Sequence, residues 1–178
     1  MKSKWKQRQA TIRSSISENP LLVAIILIIA AVAIPNLLRA RIAANEASAA
    51  QSLRQINTAE FAYNAAFPNL GYSTDLASLG GAPPCSPSSA TACLLDNVLA
   101  SAIPGSAGKS GYVFAATGIT AGGMTTSFIT GTSPVNFGVS GTRDFCSTED
   151  GVIRFDAGQS GATPVTTVSD CQAFTMMQ

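Results

Sequence analysis

A chain of 178 residues that is 46% hydrophobic, only 12% charged and free of histidine holds one modest domain with an appendage, at about half the charge content of an ordinary soluble domain. Without histidine there is no Ser-His-Asp triad, no HExxH zinc helix and no imidazole titrating near neutral pH, so most hydrolase and metalloenzyme chemistries are excluded and no enzyme is expected. The net charge of +1 conceals a division: residues 1–41 hold seven basic residues and one acidic, residues 42–178 four basic and nine acidic.

The expected organisation is a basic cytoplasmic leader over residues 1–20, a hydrophobic transmembrane or assembly helix over 21–38, an amphipathic helix over 39–67 and a globular head over 68–178. Lys2, Lys4, Lys6, Arg8 and Arg13 precede fourteen residues, Leu21 to Ile34, without a polar side chain, the pattern of a cytoplasmic flank before a membrane segment. As a helix, Leu21 to Leu38 is about 27 Å long, slightly short of the roughly 30 Å hydrocarbon core, so it spans only marginally. The same residues also read as a secretory signal, with Leu21 to Ala30 as its apolar region and Ala31-Val32-Ala33 as a cleavage site. Against cleavage, the helical period continues beyond the apolar run. Leu38, Ile42, Ala49, Leu53, Ile56, Tyr63 and Phe67 recur at spacings of three, four and seven, which extends one helix from Leu21 to Phe67. Pro35 removes one backbone hydrogen bond and is expected to bend it, and Pro68, Asn69 and Gly71 end it.

Tyr72 to Gly108 reads as a long loop with one short helix around Leu94 to Ala102. Beyond it, Tyr112 to Ala116, Thr125 to Thr130, Val135 to Ser140 and Val152 to Phe155 are rich in β-branched and aromatic residues, and glycine-containing turns separate them. They predict four antiparallel strands. Val113, Phe128, Phe137 and Phe155 are the candidate sheet residues to pack on Leu53, Ile56 and Tyr63 of the helix. The tail from Asp156 reads as irregular. Four cysteines, Cys85, Cys93, Cys146 and Cys171, lie in this Ser/Thr/Gly-rich part, which points to disulfides formed in an oxidising compartment. Sequential pairing is expected, with Cys146–Cys171 closing the C-terminal loop against the sheet, although spacing alone does not choose among the three connectivities.

The stretch from Ala24 to Arg41, with Ala33-Ile34-Pro35-Asn36-Leu37-Leu38-Arg39-Ala40-Arg41 at its end, resembles the N-terminal helix of type IV pilins and related pseudopilins. The likeness continues through Asn45-Glu46-Ala47-Ser48 and Ser52-Leu53-Arg54-Gln55-Ile56-Asn57-Thr58-Ala59-Glu60. The resemblance implies an α+β fold and a structural subunit that waits in the inner membrane with its head outside, then polymerises with its own kind into a cell-surface pilus. Its implied partners are a prepilin peptidase, an assembly platform with its ATPase, and a secretin; adhesion, motility, DNA uptake or secretion are the uses of such filaments. Ala30, Ala31 and Ala33 are small enough for close helix approach during assembly, and Pro35 stands at the family distance from Glu18. Glu18 occupies the place of the family glutamate, which pairs with a neighbouring subunit's terminal amine. Read from the residues alone, Glu18 is solvated and Asn19 caps a helix that starts at Pro20. Arg13-Ser14 stands where the family has the Gly-Phe processing junction. The alternatives are a secretion-system pseudopilin and a signal-cleaved monomeric extracellular binding domain.

Other patterns carry less. Gly105-Ser106-Ala107-Gly108-Lys109-Ser110 contains a GKS, but Ile103 stands where a phosphate loop needs glycine, and a strand pattern follows instead of a helix. No cofactor is expected. Asp144, Glu149, Asp150, Asp156 and Asp170 offer oxygen ligands of the kind calcium takes, a metal carried by the pseudopilins this chain resembles, but Asp150-Gly151 already reads as a hairpin turn. Because residues 42–178 are net negative, no nucleic acid is expected on a basic face.

Overall fold

The computed structural model describes residues 19–161 and 163–177. The chain forms two compact units, one up to Ala40 and one from Arg41 onward. Helix α1, Pro20–Ala66, supplies both.

In the first unit, Pro20 opens α1. It has no N–H to leave unpaired and its φ is already helical, which suits the first helical position. The Asn19 carbonyl accepts from the amides of Leu22 and Val23 at 3.0 and 3.3 Å. Pro35 lies inside α1, and the helix continues on both sides of it. Its missing N–H deprives the Ala31 carbonyl of the usual partner four residues on.

In the second unit the remainder of α1 buries Ala49, Leu53, Ile56, Glu60 and Tyr63, at alternating spacings of four and three, with Ala50, Ser52, Asn57 and Ala59 beside that stripe. Expected and observed helix ends agree to one residue. The stop is chemical: Phe67 and Gly71 amides fold back onto the Tyr63 and Phe67 carbonyls, and Pro68 cannot extend the ladder. Gly71, at φ +85°, then lies so close to the Thr125 carbonyl that a side chain there would collide with it.

Five strands, not four, form one antiparallel sheet in sequential order: β1 Tyr112–Ala121, β2 Met124–Pro134, β3 Arg143–Thr148, β4 Arg154–Ala157 and β5 Thr175–Met176. The third expected strand is the main correction. Val135 to Ser140 is a turn, because Asn136, Gly138 and Ser140 bond the backbone to itself, and the strand falls eight residues later, on Arg143–Thr148. The tail is also more ordered than expected, since helix α3, Val168–Ala173, and β5 both lie beyond Asp156. The expected helix at Leu94 to Ala102 shrinks to α2, Asn97–Ala100, capped by the Asp96 carboxylate on the Leu99 amide. Leu94 and Leu95 cannot join it, because their amides are already donated to the Leu79 carbonyl.

Packing follows the two-residue alternation of the strands. Phe114 of β1 and Phe145 of β3 share the face that meets Leu53, Ile56 and Tyr63, with Leu76, Leu79 and Leu99 of the long connection completing that core. Of the expected sheet residues, Phe155 packs against this cluster. Phe128 is buried among Phe61 and Tyr72, at ring distances of 5.7 and 4.8 Å. Val113, one residue out of phase with Phe114, falls on the opposite face, and Phe137 lies exposed in the turn. The opposite face carries a second small core, Ile129 with the Cys146–Cys171 disulfide, Val165, Val168 and Phe174. Gly131 lets the Val165 backbone lie directly on the sheet, where a Cβ would clash. The long connection also covers the β1 edge: Phe114 and Gly118 donate their amides to the Ala102 and Thr74 carbonyls, which occupies edge groups that would otherwise invite another strand.

Candidate functional site

Two features of α1 are candidates for function, and each belongs to one unit. The first is the apolar half. Helix α1 is long and apolar enough to cross a membrane, and none of its most apolar stretch is buried within the chain. Leu21, Leu27, Ile28, Ile34 and Leu37 all lie open. An exposed apolar surface of this extent requires a lipid or protein covering. Ala30 and Ala33, three residues apart, share one helix face, Ala31 lies beside it, and Pro35 follows within the same open segment. Glu18 and the junction residues Arg13 and Ser14 lie outside the described residues.

The second feature is a line of polar side chains that joins α1 to the head. Asn57 is buried, donates from Nδ2 to the Ser147 hydroxyl at 2.8 Å and accepts at Oδ1 from the Thr130 hydroxyl at 2.9 Å. One turn on, Glu60 is fully buried. Its Oε2 accepts the Ser73 amide at 2.9 Å and its Oε1 lies 2.6 Å from the Ser73 hydroxyl, which also reaches the Asp75 carbonyl at 3.1 Å. Burial pushes the Glu60 carboxyl up to about 7; the Ser73 hydrogen bonds oppose that rise and the Asp75 charge adds to it. At the other end of this stretch Asn45 and Glu46 bond the turn before β3. Sequence reasoning gave Asn57 and Glu60 no role beyond the family likeness. The signal was present, since both recur in phase with Leu53, Ile56 and Tyr63, where a polar side chain must find a partner.

The four cysteines pair as Cys85–Cys93 and Cys146–Cys171. The acidic residues weighed as calcium ligands are dispersed. Asp150 pairs with Arg154, which draws its carboxyl down to about 2, and Asp170 is engaged with Thr167 at the start of α3. Asp144 and Asp156 face each other across β3 and β4. Burial pushes the Asp144 carboxyl up to about 6, against the nearby Ser133 hydroxyl and with help from the Asp156 charge. Among the described residues no group of three or more acidic or cysteine side chains is placed to hold a metal. Lys109 of the GKS reaches Ser52 Oγ at 3.3 Å and Asp96 at 3.9 Å, and its backbone pairs with Tyr112 at the start of β1, so the segment leads into a strand.

Comparisons with protein-family models, with curated proteins and with solved structures give no match to this chain.

Proposed function

We propose that the chain is a structural subunit of a type IV pilin-like filament. Residues 21–38 hold it in the inner membrane, with the head outside, until the same helix packs against those of other copies in a surface pilus. One observation carries this reading. A single uninterrupted helix, Pro20–Ala66, supplies the head with its core stripe at residues 49–63 and bears an open apolar surface over residues 21–38. Such a surface stays out of water in lipid and again in a bundle of like helices, so transfer between the two states conserves the hydrophobic contribution. With lipid no less apolar than leucine, close packing at small residues such as Ala30, Ala31 and Ala33 is what favours the bundle. Ala31-Val32-Ala33, the site at which a signal peptidase would cut, lies inside this helix, and cleavage there would remove the surface that the filament needs.

The test is intact mass and N-terminal sequence of the protein recovered from its own cells, from membranes and from sheared surface material. The expected result is high-mass sheared material that retains Leu21 to Ile34, with a new start near Ser14. A soluble monomer that starts near Ile34 overturns the proposal and identifies a secreted domain.

A further inference from the structure

The connection between β2 and β3, Val135 to Thr142, contains no charged residue, yet it is not slack. The Asn136 amide donates to the Ser140 hydroxyl at 3.0 Å, the Val139 and Ser140 amides donate back to the Asn136 carbonyl, and the Gly138 amide donates to the Gly141 carbonyl at 2.8 Å. Two successive residues of α1 fasten it. Asn45 Nδ2 donates to the Ser140 carbonyl at 2.8 Å, and Glu46 Oε1 accepts from the Thr142 amide and hydroxyl at 2.9 and 2.8 Å. What this braced turn presents is apolar: Val135 is 40% exposed, Phe137 42% and Val139 60%. Arg143 follows, its side chain half exposed, its guanidinium 5.1 Å from the Phe155 ring centroid and its Nε 3.9 Å from Glu46 Oε2. A turn held this firmly, with three large apolar side chains in the open and a cation beside them, has the composition of a surface that meets a membrane interface.

Chain distance selects the lipid as occupant. Asn45 is only seven residues along the chain beyond Leu38, the last residue of the apolar segment, at most about 25 Å even for a fully extended chain; the headgroup layer outside the hydrocarbon is itself roughly 5–8 Å deep. A turn bonded to residues 45 and 46 is thereby tethered within reach of any bilayer that holds residues 21–38. We infer that the Val135–Thr142 turn docks on the lipid surface, Phe137 and Val139 entering the boundary between headgroups and acyl chains and Arg143 meeting anionic headgroups. The inference rests on the membrane reading of residues 21–38.

Tryptophan depth measurements test it on the full chain reconstituted in phosphatidylcholine–phosphatidylglycerol vesicles, with and without bromine on the acyl chains. Trp5→Phe removes the single native tryptophan, and Phe137→Trp or Leu27→Trp supplies the reporter. The expected result for W5F/F137W is blue-shifted emission that is quenched in brominated vesicles, as befits a side chain at the headgroup/acyl boundary. W5F/L27W reports the span independently. Water-like, unquenched emission from F137W beside quenched emission from L27W overturns the docking and leaves the membrane reading standing; no quenching in either overturns both. A blue shift that ignores bromine and grows with the protein-to-lipid ratio identifies a second copy as the occupant and also overturns the inference. V139W, read in the same way, serves if F137W does not fold.

Discussion

Replacing Glu60 by glutamine is expected to stabilise the head at alkaline pH, and the size of the gain follows from the geometry. Glu60 is fully buried, and folding carries its carboxyl from an ordinary value of 4.5 to about 7. Below about pH 4.5 the group is protonated in folded and unfolded chains alike and costs nothing. Between 4.5 and 7 the folded state keeps a proton that the unfolded chain has released, so stability falls as pH rises. Above 7 the ionised carboxylate is fully penalised, by about 3 kcal/mol at roughly 1.4 kcal/mol per pH unit.

Glutamine reproduces the protonated acid. Its amide group donates to the Ser73 hydroxyl, which turns to the Asp75 carbonyl that it already approaches, and its carbonyl accepts the Ser73 amide as Glu60 Oε2 does now. Glu60→Gln should therefore match the wild type near pH 4.5 and exceed it by up to about 3 kcal/mol at pH 8, which for a head of this size is a rise of roughly 10 °C in melting temperature. Near-UV circular dichroism melts of the full chain in detergent, taken across this pH range, provide the readout. The Asp144 carboxyl, raised to about 6 by burial, pushes in the same direction, so the variant keeps a smaller residual slope below about pH 6. A variant whose profile runs parallel to the wild type, or that is less stable at pH 8, would refute the assignment of a neutral Glu60.

Three further outcomes are expected. In urea titrations, Cys146→Ser with Cys171→Ser should cost about 3.5 kcal/mol and Cys85→Ser with Cys93→Ser about 2.6 kcal/mol, because the first bond, with a sequence separation of 25 against 8, closes the longer loop; equal losses would contradict the loop-entropy account. Asn57→Ala leaves the buried Ser147 and Thr130 hydroxyls with one partner fewer and should destabilise by about 1–3 kcal/mol, whereas Asn45→Ala, at the half-exposed Ser140 contact, should cost clearly less in the same titration. Phe114→Ala should cost about 3–5 kcal/mol and Phe137→Ala less than about 0.5 kcal/mol; similar losses at the two sites would restore Phe137 to the core and remove the basis for a docking turn.

The helix was legible because its signal is long. Fourteen apolar residues followed by four further turns of three-and-four spacing leave little room for another assignment, and the ends are marked by Pro20 and Pro68. The sheet was legible in class but not in register. Val135 to Ser140 has strand-like valines and a phenylalanine, but Asn136, Gly138 and Ser140 provide the backbone with turn hydrogen bonds that outcompete a ladder. The true third strand begins with Arg143 and Asp144, charges that masked it, and its alternation is plain only once Phe145 and Ser147 are placed on the helix-facing side. Once that strand moved, Phe137 left the core and Phe145 entered it. Strand β5 is two residues long and exists because the ladder extends from β4, a consequence of tertiary packing that no local propensity announces.

The polar residues of α1 point to what the stripe alone does not accomplish. On a sheet slid along the helix by one turn, Tyr63 would lose the Ser89 carbonyl that its hydroxyl reaches at 2.7 Å, but Leu53 and Ile56 would still find partners of their own kind. Asn57 and Glu60 would not. A slide of one turn strands the Asn57 amide away from Thr130 and Ser147 and buries the Glu60 carboxyl without Ser73, each at a cost of about 1–3 kcal/mol or more. A buried carboxyl that favours its neutral form thus has a definite use in this fold: it is tolerated only where the Ser73 amide and hydroxyl meet it, which admits one register of helix against head.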